Sequence, residues 1–319
     1  MNNLIFQRML PYFKIARFDH WFKNIFMVPG IIVALYLDRS LNFGSVLWPM
    51  LVGILATGFV ASSNYVINEI LDAKFDRLHP VKKNRPVPSG QVNLVLGYIE
   101  WIVLAIIGLG LAYSINHEFF YCALLLWIMG CFYNIPPVRT KDKPFIDVLS
   151  ESVNNPLRLL LGWYLTGTEL FAPLSLIMAY WMIGAFFMAI KRYAEYQRIG
   201  NKDTASSYRA SFRFYNPQRL MISIMYYVAA FGLFFGIFLI RYRIELILSI
   251  PFIAGFVAWY MHLAYLEDSP VQYPEKLYKE RGFVIYTGLC FVIVITLLLV
   301  DVPVIEKLFP QTGGSLQGI

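Results

Sequence analysis

The sequence predicts an all-α, polytopic membrane protein of about nine transmembrane helices that form a single domain over residues 1–319. Apolar residues make up 58% of the chain and charged residues only 15%, whereas soluble domains carry about 45–50% and about 25%. Many uncharged stretches approach the length of about 20 residues that a helix needs to cross a bilayer. The cations alternate between the segments that join these stretches. Together these three features exclude a soluble domain.

Nine apolar segments are predicted to span the membrane, joined by short connections on one side and longer polar segments on the other. The two longest polar segments run from 68 to 93 and from 191 to 219. Because rigid scaffolds usually carry their chemistry on such loops, we expect the active site on this side. The predicted spans are 24–38, 45–66, 94–114, 118–135, 146–166, 170–190, 220–240, 245–265 and 283–301.

The distribution of cations predicts how the chain sits in the membrane. Of the 27 lysines and arginines, 22 fall on the side with the long segments, four on the other side and one, Arg158, inside a span. The positive-inside rule then places the N-terminus and the active site in the cytoplasm, the C-terminus outside, and the protein in the cell (inner) membrane. The same pattern explains the net charge of +7, so this charge does not indicate that the protein binds nucleic acid. An oligomer is compatible with the sequence, and residues 310–319 read as a disordered tail.

Oxygen-bearing side chains recur every four residues where the second span ends. Asn64, Asn68, Asp72 and Asp76 follow this spacing, which on a helix gives one slowly drifting stripe with about 6 Å between successive side chains. The two asparagines lie at apolar depth, where polar groups are costly and usually functional. Mg²⁺ typically takes one or two carboxylates plus substrate phosphates. The sequence therefore predicts Asn68, Asp72 and Asp76 as metal ligands; the alternative is a solvated helix end.

A cationic segment that contains Lys82, Lys83 and Arg85 follows these aspartates, between prolines that restrict the backbone. Cations beside a Mg²⁺ site suit a polyanionic substrate, because arginine binds phosphate through two parallel hydrogen bonds. The alternative for any one of these residues is an ordinary positive-inside loop. Their position directly after the acids favours phosphate binding.

A second stripe opens the fifth span with Asp147, Glu151 and Asn155, and we expect it to converge with the first stripe on one divalent cation. Arg158 lies one turn deeper than Asn154 on the adjoining ridge. An arginine at this depth must be paired or bind an anion, so either it forms a structural ion pair with Asp147 or Glu151, or it binds substrate. Pro156 is expected to kink this span.

Three further features leave alternatives open. Lys191 and Glu195 lie one turn apart at the exit of the sixth span, where they either contact substrate or form an ordinary pair within the helix. Arg17 and Lys23 precede the first span, where such residues are often interfacial anchors. The cysteines and histidines show no metal-ligand spacing.

These motifs resemble those of the UbiA superfamily of membrane prenyltransferases, over nearly the whole chain. Within it, four details look most like the decaprenyl-phosphate phosphoribosyltransferase branch. They are Lys23-Asn24, the run His79-Pro80-x-Lys82-Lys83-x-Arg85-Pro86-x-x-Ser89-Gly90, the pattern Pro144-x-x-Asp147-Val148, and Lys191-Arg192-x-x-Glu195 followed by a loop with Tyr208, Arg209 and Tyr215. Two departures are Glu69, where an aspartate is more usual, and the polar segment Asn154-Asn155-Pro156.

The resemblance implies a UbiA-like bundle and Mg²⁺-dependent transfer of a 5-phosphoribosyl group from phosphoribosyl pyrophosphate to a polyprenyl phosphate. Asp72, Asp76, Asp147 and Glu151 would be catalytic, with Lys191 and Arg158 facing phosphates and Arg17 and Lys23 near the lipid phosphate. The full set of candidate substrate-binding residues is Asn64, Asn68, Lys82, Lys83, Arg85, Tyr133, Arg139, Lys141, Asn154, Asn155, Arg158, Lys191, Glu195, Arg17 and Lys23.

Two other functions are compatible with these motifs. A UbiA-type prenyltransferase would move an isoprenoid from its diphosphate to an aromatic or glycerol-phosphate acceptor, and it needs the same Mg²⁺-diphosphate site. A transporter would explain the polar residues inside the membrane, but those residues crowd one face and form no path across.

Overall fold

The computed structural model describes residues 2–77, 82–200, 206, 209–272 and 274–309, where every regular element is a helix. The side chains of 2–6, 8, 274–276 and 306 are not described, and the predicted features at His79, Tyr208 and 310–319 lie outside the described residues. The first helices are α1 Asn2–Ala16, α2 Val28–Leu37, α3 Phe43–Asp76, α4 Leu94–Tyr113, α5 His117–Asn134, α6 Ile146–Ser152 and α7 Asn154–Leu165. The others are α8 Leu174–Ile199, α9 Pro217–Tyr242, α10 Ile250–Ala264, α11 Arg281–Leu299 and α12 Pro303–Leu308.

Helix α3 carries the first polar stripe on a single uninterrupted rod of 34 residues. At about 1.5 Å per residue it is roughly 51 Å long, whereas the hydrocarbon core of a bilayer is about 30 Å thick. The Asn42 side chain caps its start by accepting a hydrogen bond from the Gly44 N–H at 2.9 Å. The span predicted at 45–66 therefore continues as helix to Asp76, and its polar end extends beyond the apolar layer.

Seven helical stretches of the described chain are long and apolar enough to cross a membrane, so the protein is a multi-span membrane protein. The span predicted at 146–166 is divided into α6 and α7 at Val153, and α5 has only 18 residues. The count of nine therefore remains a prediction. The helix is interrupted at Val153, three residues before Pro156, and Pro156 lies in the first turn of α7, where the missing N–H costs little.

Helix α7 lies close to the start of the chain because two glycines allow backbone contact. A Cβ atom on Gly162 would lie 1.9 Å from the carbonyl oxygen of Met27, and one on Gly30 would lie 2.0 Å from that of Leu159. Met27 ends a 3₁₀ segment, Phe18–Met27, that joins α1 to α2. The glycines thus bring this segment, with Lys23, against the helix that carries Arg158.

Buried aromatic side chains fix the segment after α8 against the bundle. Phe212 and Tyr215 are fully buried. The Tyr215 ring packs edge-on against Phe145 at 5.4 Å between centroids, and Phe212 packs in the same way against Tyr196 at 5.8 Å. This edge-to-face arrangement is the favoured one for aromatic pairs. The packing holds Arg209 near the ends of α3 and α6.

Candidate active site

The first polar stripe lies on one face of α3 and meets α5 at its deep end. The Asn64 side-chain N–H donates to the carbonyl oxygen of Leu126 at 3.0 Å. One turn later, the Asn68 amide donates to the Asn134 side-chain oxygen at 2.6 Å. The two asparagines therefore bind α5 in this structure, and the spacing of four residues predicted their shared face.

Asp72 forms two ion pairs with the segment that follows α5. One of its oxygens lies 2.8 Å from Arg139 Nη2 and 2.6 Å from Lys141 Nζ. Lys141 also donates to the Asn134 side-chain oxygen at 2.8 Å, so Asn134 receives both Asn68 and Lys141. Burial lowers the pKa of Lys141 to about 8, an effect that the nearby Asp72 opposes.

Arg139 is held in place by three acceptors. Besides Asp72, its side chain donates to Asp142 at 2.8 Å and to the carbonyl oxygen of Asn134 at 3.0 Å. Its backbone has a φ of +28°, a value that residues other than glycine rarely adopt. Such an unusual conformation persists only where surrounding contacts stabilise it.

Asp76 lies one turn beyond Asp72 and pairs with the cationic segment. Arg85 Nη1 lies 2.7 Å from its Oδ2, and Asp76 is only 3% exposed. Together with Asp72, Asp76 borders a cavity of about 80 Å³. The other lining residues are Phe75, Arg139, Lys141, Asp142, Arg209 and Ala210.

The second acid motif is organised around Arg192. Asp147 is fully buried; it lies 3.1 Å from Arg192 Nε and accepts hydrogen bonds from Tyr215 at 2.5 Å and from Ser211 at 3.3 Å. Glu151 lies 2.5 Å from Arg192 Nη2. Burial and the nearby Asp147 raise the pKa of Tyr215, which keeps its phenol protonated as a donor.

Glu195 forms ion pairs with cations from three segments of the chain. Its oxygens lie 3.7 Å from Arg192, 3.8 Å from Arg209 and 4.0 Å from Lys82. Lys191 interacts electrostatically with Glu151 and Lys23 as well as with Glu195. Glu195 therefore pairs with more cations than an ordinary pair within the helix would involve, and contact of Lys191 and Glu195 with substrate stays a prediction.

Tyr133 and Arg209 join the two clusters. The Tyr133 hydroxyl donates to Glu151 at 2.8 Å and accepts a hydrogen bond from Arg209 at 3.0 Å. Lys141 Nζ lies 5.8 Å from the centroid of the Tyr133 ring, and Arg209 also borders the cavity beside Asp72. The clusters are therefore neighbours.

The expected convergence of both stripes on one cation is not seen among the described residues, where no group of three acids, histidines or cysteines lies together. Asp72 and Asp147 each face their own cations instead. The pair Asp72 and Asp76 still fits Mg²⁺, because this ion needs only one or two carboxylates when substrate phosphates supply further oxygens. The neighbouring Arg85, Arg139 and Lys141 would then face those phosphates.

Several predicted residues lie deeper or further out than the cavity. Arg17 pairs with Glu69 at 3.2 Å, and Glu69 also accepts the Val87 N–H at 3.3 Å. Glu69, the departure from the usual aspartate, therefore points away from the stripe and binds the start of the chain. Lys83 is exposed to solvent. Asn155 packs closely on α8, since a Cβ atom on Gly184 of that helix would lie 2.1 Å from the Asn155 amide nitrogen.

Arg158 does not form the ion pair that was one of its two predicted roles. Its Nη1 donates to the carbonyl oxygen of Asn154 at 3.3 Å, while Asp147 and Glu151 pair with Arg192. Arg192, Arg209 and Asn134 were not among the predicted contact residues. The partners that join them to other parts of the chain, namely Asp147 for Arg192, Tyr133 for Arg209 and Asn68 for Asn134, lie 45 to 76 residues away. Local spacing could not identify these contacts.

The sequence model of the UbiA prenyltransferase family matches residues 25–284, a range that includes both acid motifs and the arginines between them. The chain belongs to the UbiA prenyltransferase family. The predicted resemblance to this family is thereby confirmed, and so is the all-helical fold.

Two curated proteins illustrate what the chain is similar to. It is 28% identical over 208 residues to the decaprenyl-phosphate phosphoribosyltransferase of Mycolicibacterium smegmatis, covering 62% of this chain and 63% of that one. It is 26% identical over 178 residues to the protoheme IX farnesyltransferase of Shouchella clausii, covering 54% and 56%. The matched part spans between 35% and 63% of the length of the first curated relatives.

A solved structure shows the same fold. A UbiA homolog from Archaeoglobus fulgidus, bound to GPP and Mg²⁺, superimposes with a TM-score of 0.67 at 20% sequence identity, covering 89% of this chain and 99% of that one. At this identity the likeness concerns the fold alone.

Proposed function

We propose that the protein transfers a 5-phosphoribosyl group from phosphoribosyl pyrophosphate to a polyprenyl phosphate, with Mg²⁺ as cofactor. The observation that carries this proposal is the cavity where Asp72 and Asp76 lie beside Arg85, Arg139, Lys141 and Arg209. Three acids, Asp72, Asp76 and Asp142, among four cations suit a metal-bound diphosphate whose remaining charge meets the arginines and lysine. The curated relatives named decaprenyl-phosphate phosphoribosyltransferase support the choice of donor and acceptor.

The proposed reaction is a displacement at the anomeric carbon of the ribose. An oxygen of the lipid phosphate forms a bond to C1, the bond from C1 to the pyrophosphate oxygen breaks, and pyrophosphate leaves with the electron pair. The centre passes through an oxocarbenium-like state, as in glycoside hydrolysis. Mg²⁺ would neutralise charge on the leaving group. The role of this chain's own cations is to hold the pyrophosphate oxygens in a fixed, water-poor environment where such charge is stabilised.

A second candidate is transfer of an isoprenoid from its diphosphate to an aromatic or glycerol-phosphate acceptor. It is favoured by the fold shared with a UbiA homolog bound to GPP and Mg²⁺ and by the relative named protoheme IX farnesyltransferase. The same cavity would hold the diphosphate of either donor. The two candidates therefore differ in what the acceptor site must bind.

Pyrophosphate release by the purified full chain tests these alternatives. With farnesyl phosphate as acceptor, we expect Mg²⁺-dependent release of pyrophosphate from phosphoribosyl pyrophosphate. With an aromatic or glycerol-phosphate acceptor, we expect none from geranylgeranyl diphosphate. Asp72→Asn should reduce the rate by about 100-fold or more, because a charge that stabilises the transition state in a water-poor site contributes about 3 kcal/mol. Asp268→Asn, which changes an exposed aspartate, should leave it unchanged. Turnover with the prenyl donor alone would refute the phosphoribosyl assignment, and solute flux without turnover would refute the enzyme.

A further inference from the structure

Arg158 is a buried cation that the internal ion pairs leave uncompensated. It is 6% exposed, and its Nε is buried without a hydrogen-bond partner in the part of the chain that the structure describes. The described acids nearest in sequence, Asp147 and Glu151, pair with Arg192. A charged group removed from water without a counter-charge costs several kcal/mol, and arginines at membrane depth therefore mark binding sites by default.

A second cation, from the start of the chain, lies beside Tyr65, on which Arg158 also acts electrostatically. Lys23 Nζ lies 3.3 Å from the Tyr65 hydroxyl and 5.6 Å from the centroid of its ring. Arg158 interacts electrostatically with Tyr65 and with Tyr180, and the Tyr180 hydroxyl donates to the carbonyl oxygen of Phe26 at 3.1 Å. Arg158 and Lys23 thus flank one phenol.

The third cation near Tyr65 is already neutralised. Arg17 lies 5.6 Å from the Tyr65 ring but pairs with Glu69 at 3.2 Å. For Lys23 and Arg158, by contrast, no carboxylate lies within 4 Å among the described residues. Two positive charges around Tyr65 therefore have no protein counter-charge, whereas every acid in the cavity at Asp72 and Asp76 has one.

We propose that Arg158, Lys23 and Tyr65 bind the phosphate head of the lipid acceptor, apart from the pyrophosphate cavity. This inference rests on the proposed function and names the acceptor as an anionic lipid phosphate, in contrast to a neutral phenol. A phosphate monoester supplies both the negative charge and the acceptor oxygens that the guanidinium Nε–H, the ammonium and the phenol hydroxyl require. Asn154 Oδ1 is also buried without a partner among the described residues. It can accept a hydrogen bond from a hydroxyl group of a molecule bound beside Arg158.

The position of this pocket suits a lipid head. Lys23 lies in the 3₁₀ segment at the start of the first apolar stretch, and Tyr65 lies on α3 two turns before Asp72. The two turns place Tyr65 roughly 10 Å along the helix axis from Asp72, deeper in the bilayer. A lipid whose tail stays among the helices can therefore present its phosphate from the membrane side while the donor occupies the polar end.

Binding of short analogues to the full chain in detergent tests the pocket. The probes are farnesyl phosphate, farnesol, farnesyl diphosphate and inorganic phosphate, and calorimetry supplies the affinities. Arg158→Gln should weaken farnesyl phosphate binding by about ten-fold or more, the effect of losing one charge-assisted contact, and Arg158→Lys should recover part of it. Lys23→Gln should act in the same direction. Arg219→Gln, at an exposed arginine on the start of α9, should have no effect.

The pyrophosphate affinity separates this proposal from the function on which it rests. Mg²⁺-pyrophosphate should bind Arg158→Gln and Lys23→Gln as it binds the wild type. If phosphoribosyl pyrophosphate fails as a donor while farnesyl phosphate binding still depends on Arg158, the donor assignment fails and the lipid phosphate pocket stands. Loss of pyrophosphate binding in parallel would place Arg158 in the donor site and overturn the proposal.

Measurements on the wild-type protein alone also test whether the pocket binds a lipid phosphate, and they do not depend on the stability of the variants. Farnesyl phosphate must bind more tightly than farnesol and than inorganic phosphate. Equal binding of farnesol would mean that the pocket does not recognise phosphate, and equal binding of inorganic phosphate would mean a free anion site. Tighter binding of farnesyl diphosphate than of the monophosphate, with the same dependence on Arg158, would make this the head site of a prenyl donor. Each of these results would overturn the acceptor assignment.

Discussion

Arg192 is the side chain on which the second acid motif depends. Its guanidinium contacts Asp147 and Glu151, and it is itself 2% exposed. Asp147 is fully buried, so its negative charge has no access to water and relies on Arg192, Tyr215 and Ser211. An ion pair of this kind adds little stability over apolar packing, but breaking it leaves a buried charge alone.

We expect Arg192→Gln to lower the free energy of unfolding by about 3–5 kcal/mol, because one partner of a buried ion pair is removed. Unfolding of the detergent-solubilised protein by heat or denaturant measures this change. Arg213→Gln, at an exposed arginine, is the matched control and should unfold like the wild type. Equal stability of the two variants would show that Asp147 is compensated in some other way.

The charge of Lys82 should make anion binding depend on pH. Burial lowers its pKa to about 8, Arg85 and Arg209 add to this effect, and Glu195 and Asp76 oppose it. Lysine attracts phosphate only when protonated, so its contribution should decline as the pH rises through about 8. Arginine stays charged throughout this range.

The ratio of pyrophosphate affinities of the wild type and Lys82→Arg measures this effect, because the ionisation of pyrophosphate itself cancels. We expect the wild type to weaken relative to Lys82→Arg between about pH 7 and about pH 9.5. A bound anion raises the pKa of the lysine, so the change is expected towards the upper end of the range. A ratio that does not change with pH would mean that Lys82 does not contact the anion.

At the scale of single residues, the sequence predicts those that follow a helical period. The spacing of four placed Asn64, Asn68, Asp72 and Asp76 on one face, as the structure has them. The partners of the two asparagines lie on α5, and those of the two aspartates come from loops whose paths depend on packing, such as the turn at Arg139 with its positive φ. Asn134 was not predicted, because its role depends on two neighbours, Asn68 and Lys141, that meet only in the folded chain.

At the scale of elements, apolar length predicts the helices well and polar helical ends poorly. The spans predicted at 94–114 and 220–240 correspond to α4 and α9, which end within three residues of those bounds. Helix α3 exceeds its predicted span by ten residues because the hydropathy signal stops at the membrane boundary while the backbone hydrogen bonds continue to Asp76. The division of α6 from α7 at Val153 corresponds to the disturbance expected from Pro156, because a proline removes the hydrogen bond to the carbonyl four residues earlier, here that of Ser152 at the end of α6.

The contact of α7 with the end of the 3₁₀ segment that leads into α2 gives an element-scale prediction. Gly162→Ala would put a Cβ 1.9 Å from the Met27 carbonyl oxygen, so the helices must separate, at a cost of about 1–3 kcal/mol or more. Thermal unfolding in detergent measures this loss of stability. Gly110→Ala, where no atom lies within 4 Å, is the control and should stabilise the protein slightly, because alanine favours helix. If both variants unfold at the same temperature, this contact does not hold the helices together.

At the scale of the whole molecule, the charge distribution predicts which face points to the cytoplasm. Single cysteines at Lys83 and Phe171, in a chain whose three native cysteines are replaced, give two reporters. Both positions are exposed, Phe171 to 91%. We expect a membrane-impermeant maleimide to label Phe171→Cys on intact cells and Lys83→Cys only after lysis. The opposite labelling would reverse the orientation.

Composition, apolar length and the two acid motifs were enough to predict the fold class and the family. They were not enough to predict the ion pairs in which Asp72 and Asp147 lie, and the convergence of the two motifs on one cation stays a prediction. Periodicity along one helix carries no information about the distance between two helices. That distance depends on tertiary contacts, among them Tyr133 and Arg209.

The ion pairs of Asp147 and Glu151 with Arg192 connect the first seven helices to the eighth. A polypeptide cut at the turn around Gly167 would leave those two acids on one fragment and their arginine on the other. The first fragment would keep the buried Asp147 without Arg192, Tyr215 and Ser211, and the second would keep Arg192 with Glu195 as its remaining carboxylate. Each should therefore be degraded when expressed alone. Both should accumulate when they are produced in the same cell, and activity should return with them.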